Sequence, residues 1–278
     1  MSGLNEEPLL IGAVAYHPRV VTIWERFRDY FAARELPVDF VLYSSYERLV
    51  EAMLHGAVEI GWNTNTAYVA LSECARCETE ILGMRDLDAG FASVLLARRG
   101  ELEGEAASEL AGRRLALGSR DCAHAAILPL HYLAREGLDP AAVELVRFDR
   151  DLGKHGDTGG SEREVLRAVA AGEADAGALG EPTLAALRSE GVAELEGLEV
   201  VWRSPTYYHC NFTALAGPGR ERRERWAQAL LEMSFEDAEM RPAMELEGVR
   251  RWLPSDEEGY RSLREAMREQ GLLANPEG

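Results

Sequence analysis

Short apolar runs alternate with helix-like segments along most of this chain, and that alternation constrains the fold more than any other feature. Residues 9–16 (LLIGAVAY) read as a buried strand. Pro18 opens a helical stretch to about residue 34, where Val21, Trp24, Phe27 and Phe31 recur at three- and four-residue spacing. Residues 38–43 (VDFVLY) return to a strand. Ser45 then caps a helix carrying Leu49, Val50, Met53 and Leu54, and Gly56 ends it. Residues 58–62 (VEIGW) form a third strand, and 63–66 look like a cap region before a short helix. The order β-α-β-α-β-α calls for a sheet with helical crossovers, an α/β fold.

Near residue 90 the pattern restarts. Residues 90–99 (GFASVLLARR) make a long strand, and a Glu- and Gly-rich linker follows. Residues 113–118 (RRLALG) begin a second α/β set, with a helix to about residue 136 and Gly137 as its C-cap. Strands at 143–148, 174–180, 198–203 and 207–216 continue it, with helices at 162–171 and 181–190. From residue 220 onward the chain reads as helical and highly charged. At 278 residues the chain is long enough for two domains. Two α/β halves would leave a cleft between them, beyond the carboxyl ends of the strands, where ligands of open sheets bind.

Charge removes several functions. The chain has 30 Lys plus Arg against 48 Asp plus Glu, a formal net charge of −18. Nucleic acid and anionic membrane surfaces both need a basic face, so neither is an expected partner. A small anion is not excluded, because a pocket of local donors can oppose the global field. No apolar stretch approaches the ~20 residues of a membrane span, so no membrane insertion is expected. Residues 1–8 (MSGLNEEP) carry no basic segment or cleavage site. Taken as printed, the sequence points to the cytoplasm, or to the periplasm or another extracytoplasmic site if a leader has been removed.

The strongest chemical signal is GSRDCAHA at 118–125. A strand ends at Gly118 and a helix begins within a few residues, so free N–H groups and the positive end of the dipole converge there. Ser119 adds a hydroxyl and His124 a further donor; the bland alternative makes Asp121 an N-cap and His124 a surface residue. On the anion reading, Ser119→Ala weakens binding ten- to a hundredfold at little cost in stability. A second polar loop, KHGDTGGS at 154–161, offers His155 beside glycines that let backbone N–H groups approach a ligand. In YYHCNF (207–212), strand alternation sends His209 and Cys210 to opposite faces, one of them open to a ligand. Cys74 and Cys77 have CxxC spacing without a second pair, so no stoichiometric zinc is expected there. There is no GxSxG, HExxH or Rossmann fingerprint, and neither a catalytic residue nor a cofactor is expected.

Together these segments resemble the phosphate/phosphite/phosphonate-type substrate-binding proteins of ABC transporters, which have the type II periplasmic-binding-protein fold. The matching pieces are Ala15–Tyr16–His17–Pro18, VEIGWNTNTAYV (58–69), GSRDCAHAAILPLHYL (118–133), GEADAGALGEPT (172–183) and YYHCNF. The resemblance covers about residues 8–270. It implies a two-lobed α/β fold, each lobe a mixed sheet flanked by helices, with hinge strands near 88–93 and 203–208 and the ligand between the lobes. Residues 1–90 with 206–278 would form one lobe and 91–205 the other. Ser119, Asp121, Cys122, Ala123 and His124 would form an oxyanion loop. Tyr16, His17, Asn63 and Thr64 would face it from the first lobe, and Glu181 from the second. Where the family commonly has a run of hydroxyl residues, this chain has Cys-Ala-His.

The expected function is therefore binding of a small phosphate- or phosphonate-like anion, with an ABC permease as partner. Two alternatives stay open: an intracellular enzyme or ligand sensor on the same fold, and a metal-binding protein. A Cys₂His₂ site of Cys122, His124, His209 and Cys210 would require His209 and Cys210 to point the same way.

Overall fold

A computed structural model describes residues 7–75, 78–102 and 106–273. In chain order the strands and helices are β1 (Leu9–Val14), α1 (Arg19–Ala32), β2 (Val38–Tyr43), α2 (Tyr46–Leu54), β3 (Ile60–Asn63), α3 (Asn65–Cys74) and β4 (Thr79–Arg85). There follow β5 (Ser93–Arg98), α4 (Ala106–Glu109), β6 (Arg114–Leu117), α5 (Leu128–Arg135), β7 (Glu144–Arg147), α6 (Gly160–Ala170), β8 (Ala176–Gly180), α7 (Glu181–Ser189) and β9 (Leu198–Arg203). The chain closes with β10 (Asn211–Leu215), α8 (Arg220–Leu231), α9 (Arg241–Glu247), β11 (Trp252–Leu253) and α10 (Arg261–Glu269).

The described residues divide into two compact units, one from 7–89 with 208–260 and residue 273, the other from 90–207 with 261–272. The first unit holds one mixed sheet in the order β11-β4-β10-β3-β1-β2. β1 runs parallel to β2 and β3, while β10 is antiparallel to β3 and β4. Its apolar residues split between two faces. Ile11, Phe27, Phe31, Phe212 and Trp226 make one core, and Val14, Tyr46, Leu49, Ala67 and Leu71 make the other. The buried stripe of α1 is Val20, Ile23, Trp24, Phe27, Tyr30 and Phe31, whereas Val21 is exposed.

The second unit has a five-stranded sheet, β7-β6-β8-β5-β9, with β6 parallel to β7 and β8 and β5 antiparallel to β8 and β9. Strand alternation divides β5 in the same way. Leu95 joins Leu115, Leu117 and Leu133 on one face, and Val94 and Leu96 join Val165 and Val169 on the other.

Three features differ from the sequence pattern. β4 and β11 are strands where the pattern shows none; β4 contains Glu80, Gly83 and Arg85, and only its antiparallel neighbours β10 and β11 make it a sheet member. Residues 207–210 lie outside β10, which begins at Asn211. Helix α10 clusters with the second unit and not with the rest of 206–278. The cause is local: Leu263, Ala266 and Met267 are buried, and Glu265 and Glu269 pair with Arg135 and His131 of α5.

Candidate functional site

In the second unit the two polar loops of the sequence form one cluster. β6 ends at Leu117, and Ala123–Ile127 makes a π-turn that runs into α5. Ser119 is fully buried. Its Oγ lies 2.7 Å from Ser161 Oγ and accepts the Asp151 N–H at 2.9 Å. Asp151 in turn accepts the Ser161 N–H at 2.6 Å and the Thr158 hydroxyl. Asp121 is not the helix cap; it accepts the Gly153 N–H at 2.6 Å, and the residue in the N-cap position is Cys122. His155 is buried with its Nε2 3.9 Å from Asp121 Oδ2. Gly156 has φ +93°, and a Cβ there would come within 2.6 Å of Cys122 Sγ and 3.0 Å of His124 Nε2. A glycine at that point lets the 151–159 loop lie directly over Cys122 and His124.

Beneath that loop sits a buried polar triple. His124 Nε2 is 3.3 Å from Glu162 Oε2, with side chains 4% and 1% exposed. Glu162 also accepts the Gly180 N–H at 2.7 Å and the Thr183 hydroxyl at 3.0 Å. Burial pushes the Cys122 thiol pKa up, only partly opposed by His124, so Cys122 stays a neutral thiol. Burial alone would lower His124, but Cys122 and Glu162 outweigh it and hold its pKa well above the ordinary imidazole value. With the thiol neutral, Glu162 is the acidic partner that favours the protonated ring.

This packing changes the expectation for Ser119. Its hydroxyl is an internal brace, so Ser119→Ala strands the buried Asp151 N–H and should cost about 1–3 kcal/mol of stability. Chemical denaturation of the variant measures this; a loss below about 0.5 kcal/mol, the usual range of surface substitutions, would contradict the bracing role.

The first unit has its own polar cluster. Thr64 caps α3 by accepting the Ala67 N–H at 3.2 Å, and Asn65 Nδ2 donates to the Tyr208 carbonyl at 3.1 Å. Asn63 and Asn211 stand opposite each other across β3 and β10, both fully buried. Among the described residues, Asn63 Oδ1, Thr66 Oγ1 and Asn211 Nδ2 are buried with no hydrogen-bond partner. Thr66 and Asn211 are not singled out by the sequence reading, though both lie in segments it quotes. Asn211 becomes visible only through its cross-strand register with Asn63.

His209 and Cys210 do not alternate, because they precede the strand; both are buried, with Sγ 3.0 Å from Nδ1. His209 Nδ1 is also 3.4 Å from Asp88 Oδ1. These donors lie within 4.8 Å of one another, but Arg85 already grips the Asp88 carboxylate at 2.6 and 2.9 Å. A buried guanidinium so placed disfavours a cation there.

The remaining expected residues are dispersed. Tyr16 is half-buried against the core, with the Arg19 guanidinium 5.8 Å from its ring. His17 is exposed and accepts the Arg19 N–H on Nδ1 at 3.1 Å. Glu181 opens α7, but its carboxylate pairs with Arg203 at 2.7 and 2.9 Å, which lowers its pKa. Cys74 is exposed at the end of α3, and Cys77 lies outside the described residues. Among the described residues no helix is long and apolar enough to cross a membrane.

A family model described as the periplasmic phosphonate substrate-binding protein of ABC transporters matches residues 12–260. No curated protein matches the chain. Among solved structures, PhnD1 of Prochlorococcus marinus in complex with methylphosphonate superposes with a TM-score of 0.74 at 17% identity, covering 95% of this chain and 98% of that one. The Xanthomonas citri protein XAC2383 bound to ATP gives 0.75 at 16% identity over 96% and 99% of the two chains. The periplasmic aliphatic sulphonate binding protein SsuA of Escherichia coli gives 0.63 at 15% identity over 97% and 94%. At these identities the structures establish the two-sheet α/β architecture of type II periplasmic binding proteins.

Proposed function

The chain belongs to the family of phosphonate-type periplasmic substrate-binding proteins of ABC transporters, and on that premise we propose that it binds a small phosphonate- or sulfonate-like oxyanion and hands it to an ABC permease. The family is one of binding proteins and not of enzymes, so the enzyme alternative drops away. The family is also periplasmic, which supports the extracytoplasmic of the two locations expected for the chain.

The observation that carries the ligand reading is the buried Thr66 Oγ1, a donor left without a hydrogen-bond partner among the described residues. Buried polar groups are normally hydrogen-bonded, so a ligand that supplies the missing partner is favoured there. Thr66 Oγ1 and Asn211 Nδ2 are donors, suited to phosphonyl or sulfonyl oxygens. The methylphosphonate and sulphonate named with two of the neighbours have that chemistry. The second unit carries a separate set of donors at residues 119–124, the N–H groups of the turn and the His124 ring beside Glu162.

The test is calorimetric titration and thermal shift with methylphosphonate, methanesulfonate and phosphate. At a hundredfold excess over Kd, linkage gives about 2.7 kcal/mol, roughly 5 °C or more in Tm. Thr66→Ala should weaken the bound anion roughly ten- to a hundredfold, the worth of a hydrogen bond to a charged group. A Tm that no anion moves would overturn the reading.

A further inference from the structure

The turn that opens α5 has an identifiable origin. Pro129 sits at the second position of α5 and supplies no N–H for the carbonyl four residues back, Ala125. The helix widens ahead of it: the Ile127 N–H reaches the Cys122 carbonyl at 3.1 Å, and the Leu128 N–H reaches Ala123. The Ala125 carbonyl takes the Gly118 N–H instead, at 2.9 Å. Gly118 permits that approach, since a Cβ there would lie 2.8 Å from the Ala125 Cβ.

The other side of the turn is held by α10. Gln270 Nε2 donates to the Ile127 carbonyl at 2.9 Å. One and two turns further along α5, His131 Nδ1 lies 2.7 Å from Glu269 Oε2 and Arg135 Nη2 lies 2.9 Å from Glu265 Oε2. Ile127, His131 and Arg135 are four residues apart, so they form one stripe on α5 that faces Gln270, Glu269 and Glu265. Leu263, Ala266 and Met267 anchor α10 from its buried side.

We infer that α10 positions the ligand loop: Gln270, at its end, holds the π-turn of residues 123–127 in the shape that presents Cys122, Ala123 and His124, without itself touching ligand. This rests on the binding function proposed above. It makes Gln270 and Glu269 positioning residues, and Pro129 the source of the turn they hold.

The experiment uses the full chain and two variants, Gln270→Ala and Pro129→Ala. Amide hydrogen exchange is followed with no ligand present, and affinity for methanesulfonate and methylphosphonate is measured at one fixed temperature. In Gln270→Ala, exchange at 123–128 should quicken at least tenfold while Leu115–Leu117 of β6 stays unchanged, and affinity should fall about tenfold with little change in Tm. Pro129→Ala restores the missing N–H donor and should lower affinity while leaving Tm equal or higher, a split that general destabilisation does not produce. Unchanged exchange at 123–128 in Gln270→Ala would overturn the inference. Faster exchange with unchanged affinity would also overturn it, because α10 would then brace the helix alone. If the parent protein binds neither anion, the functional reading fails instead, and the exchange rates still decide whether Gln270 holds the turn.

Discussion

Replacing Arg85 with methionine should destabilise the first unit by about 3–5 kcal/mol, the usual cost of removing one partner from a buried ion pair. Arg85 is 13% exposed, Asp88 0% and Glu247 7%, so little solvent reaches the group to take over the lost charge. The guanidinium donates twice to Asp88, and also to the Glu247 carboxylate at 3.1 Å and its backbone carbonyl at 3.0 Å. Its flat face lies 5.2 Å from the Trp62 ring. Methionine keeps much of the stem but takes the guanidinium from both carboxylates, leaving Asp88 with His209 at 3.4 Å. Urea denaturation at neutral pH measures the loss, and a change under about 1 kcal/mol would refute the view of Arg85 as their main counter-charge. Acid adds a second readout. Burial alone would raise the Asp88 carboxyl, but Arg85 and His209 outweigh it and bring its pKa to about 2. A carboxyl depressed from its ordinary value stabilises the fold at higher pH, and that stability is lost as pH falls between about 4 and 2, some 2 kcal/mol in all. In Arg85→Met that acid transition should move to higher pH.

The sequence carried the elements and the sheet-forming alternation, but not the pairings that assemble the polar clusters. β2 and β9 span the residues that their apolar runs indicate, and Ser45 caps α2 by accepting the Arg48 N–H at 3.4 Å. Those features are local. Strand β4 is not local in this sense: its own residues are mixed, and its place comes from β10, far along the chain. The candidate residues divide in the same way. Ser119, Asp121, Cys122 and His124 stand out because a strand–turn–helix junction lies within one short segment. What each side chain does depended on residues dozens of positions away: Ser161 and Asp151 for Ser119, Gly153 for Asp121, Glu162 for His124. Glu181 reads as a ligand-facing acid from its place after β8, but Arg203 on the neighbouring part of the fold claims it. In a chain with 48 carboxylates, sequence position alone cannot separate a paired acid from a ligand-facing one.

Glu162→Gln should be the second large effect, about 3–5 kcal/mol of stability and roughly 10 °C in Tm. The shape survives, but one carboxylate oxygen becomes an amide that donates. The Gly180 N–H keeps its acceptor on the retained carbonyl oxygen, while the Thr183 hydroxyl and His124 Nε2, which both meet Oε2, would face the amide's donor group. His124 is deeply buried beside a neutral thiol, so without Glu162 its proton has no counter-charge and leaves. The pH dependence follows from that. An imidazole whose pKa is raised on folding stabilises the native state fully below its unfolded value near 6.5, and loses that contribution as pH rises through the folded value. The gap between parent and Glu162→Gln should therefore be widest at about pH 6, below the ordinary imidazole value, and narrow as pH rises through the raised His124 value. Denaturation curves over a pH series upward from about 6, with the His124 ring followed by NMR, measure both parts. A gap that is constant with pH, or a parent imidazole already neutral at pH 6, would show that Glu162 serves only the backbone of β8 and the Thr183 hydroxyl. The same variant tests the proposed anion loop. On the binding function proposed above, the loop at 119–124 would keep its N–H groups but lose the charge on His124, so anion affinity should fall at about pH 6 and parent and variant should converge once pH passes the raised His124 value.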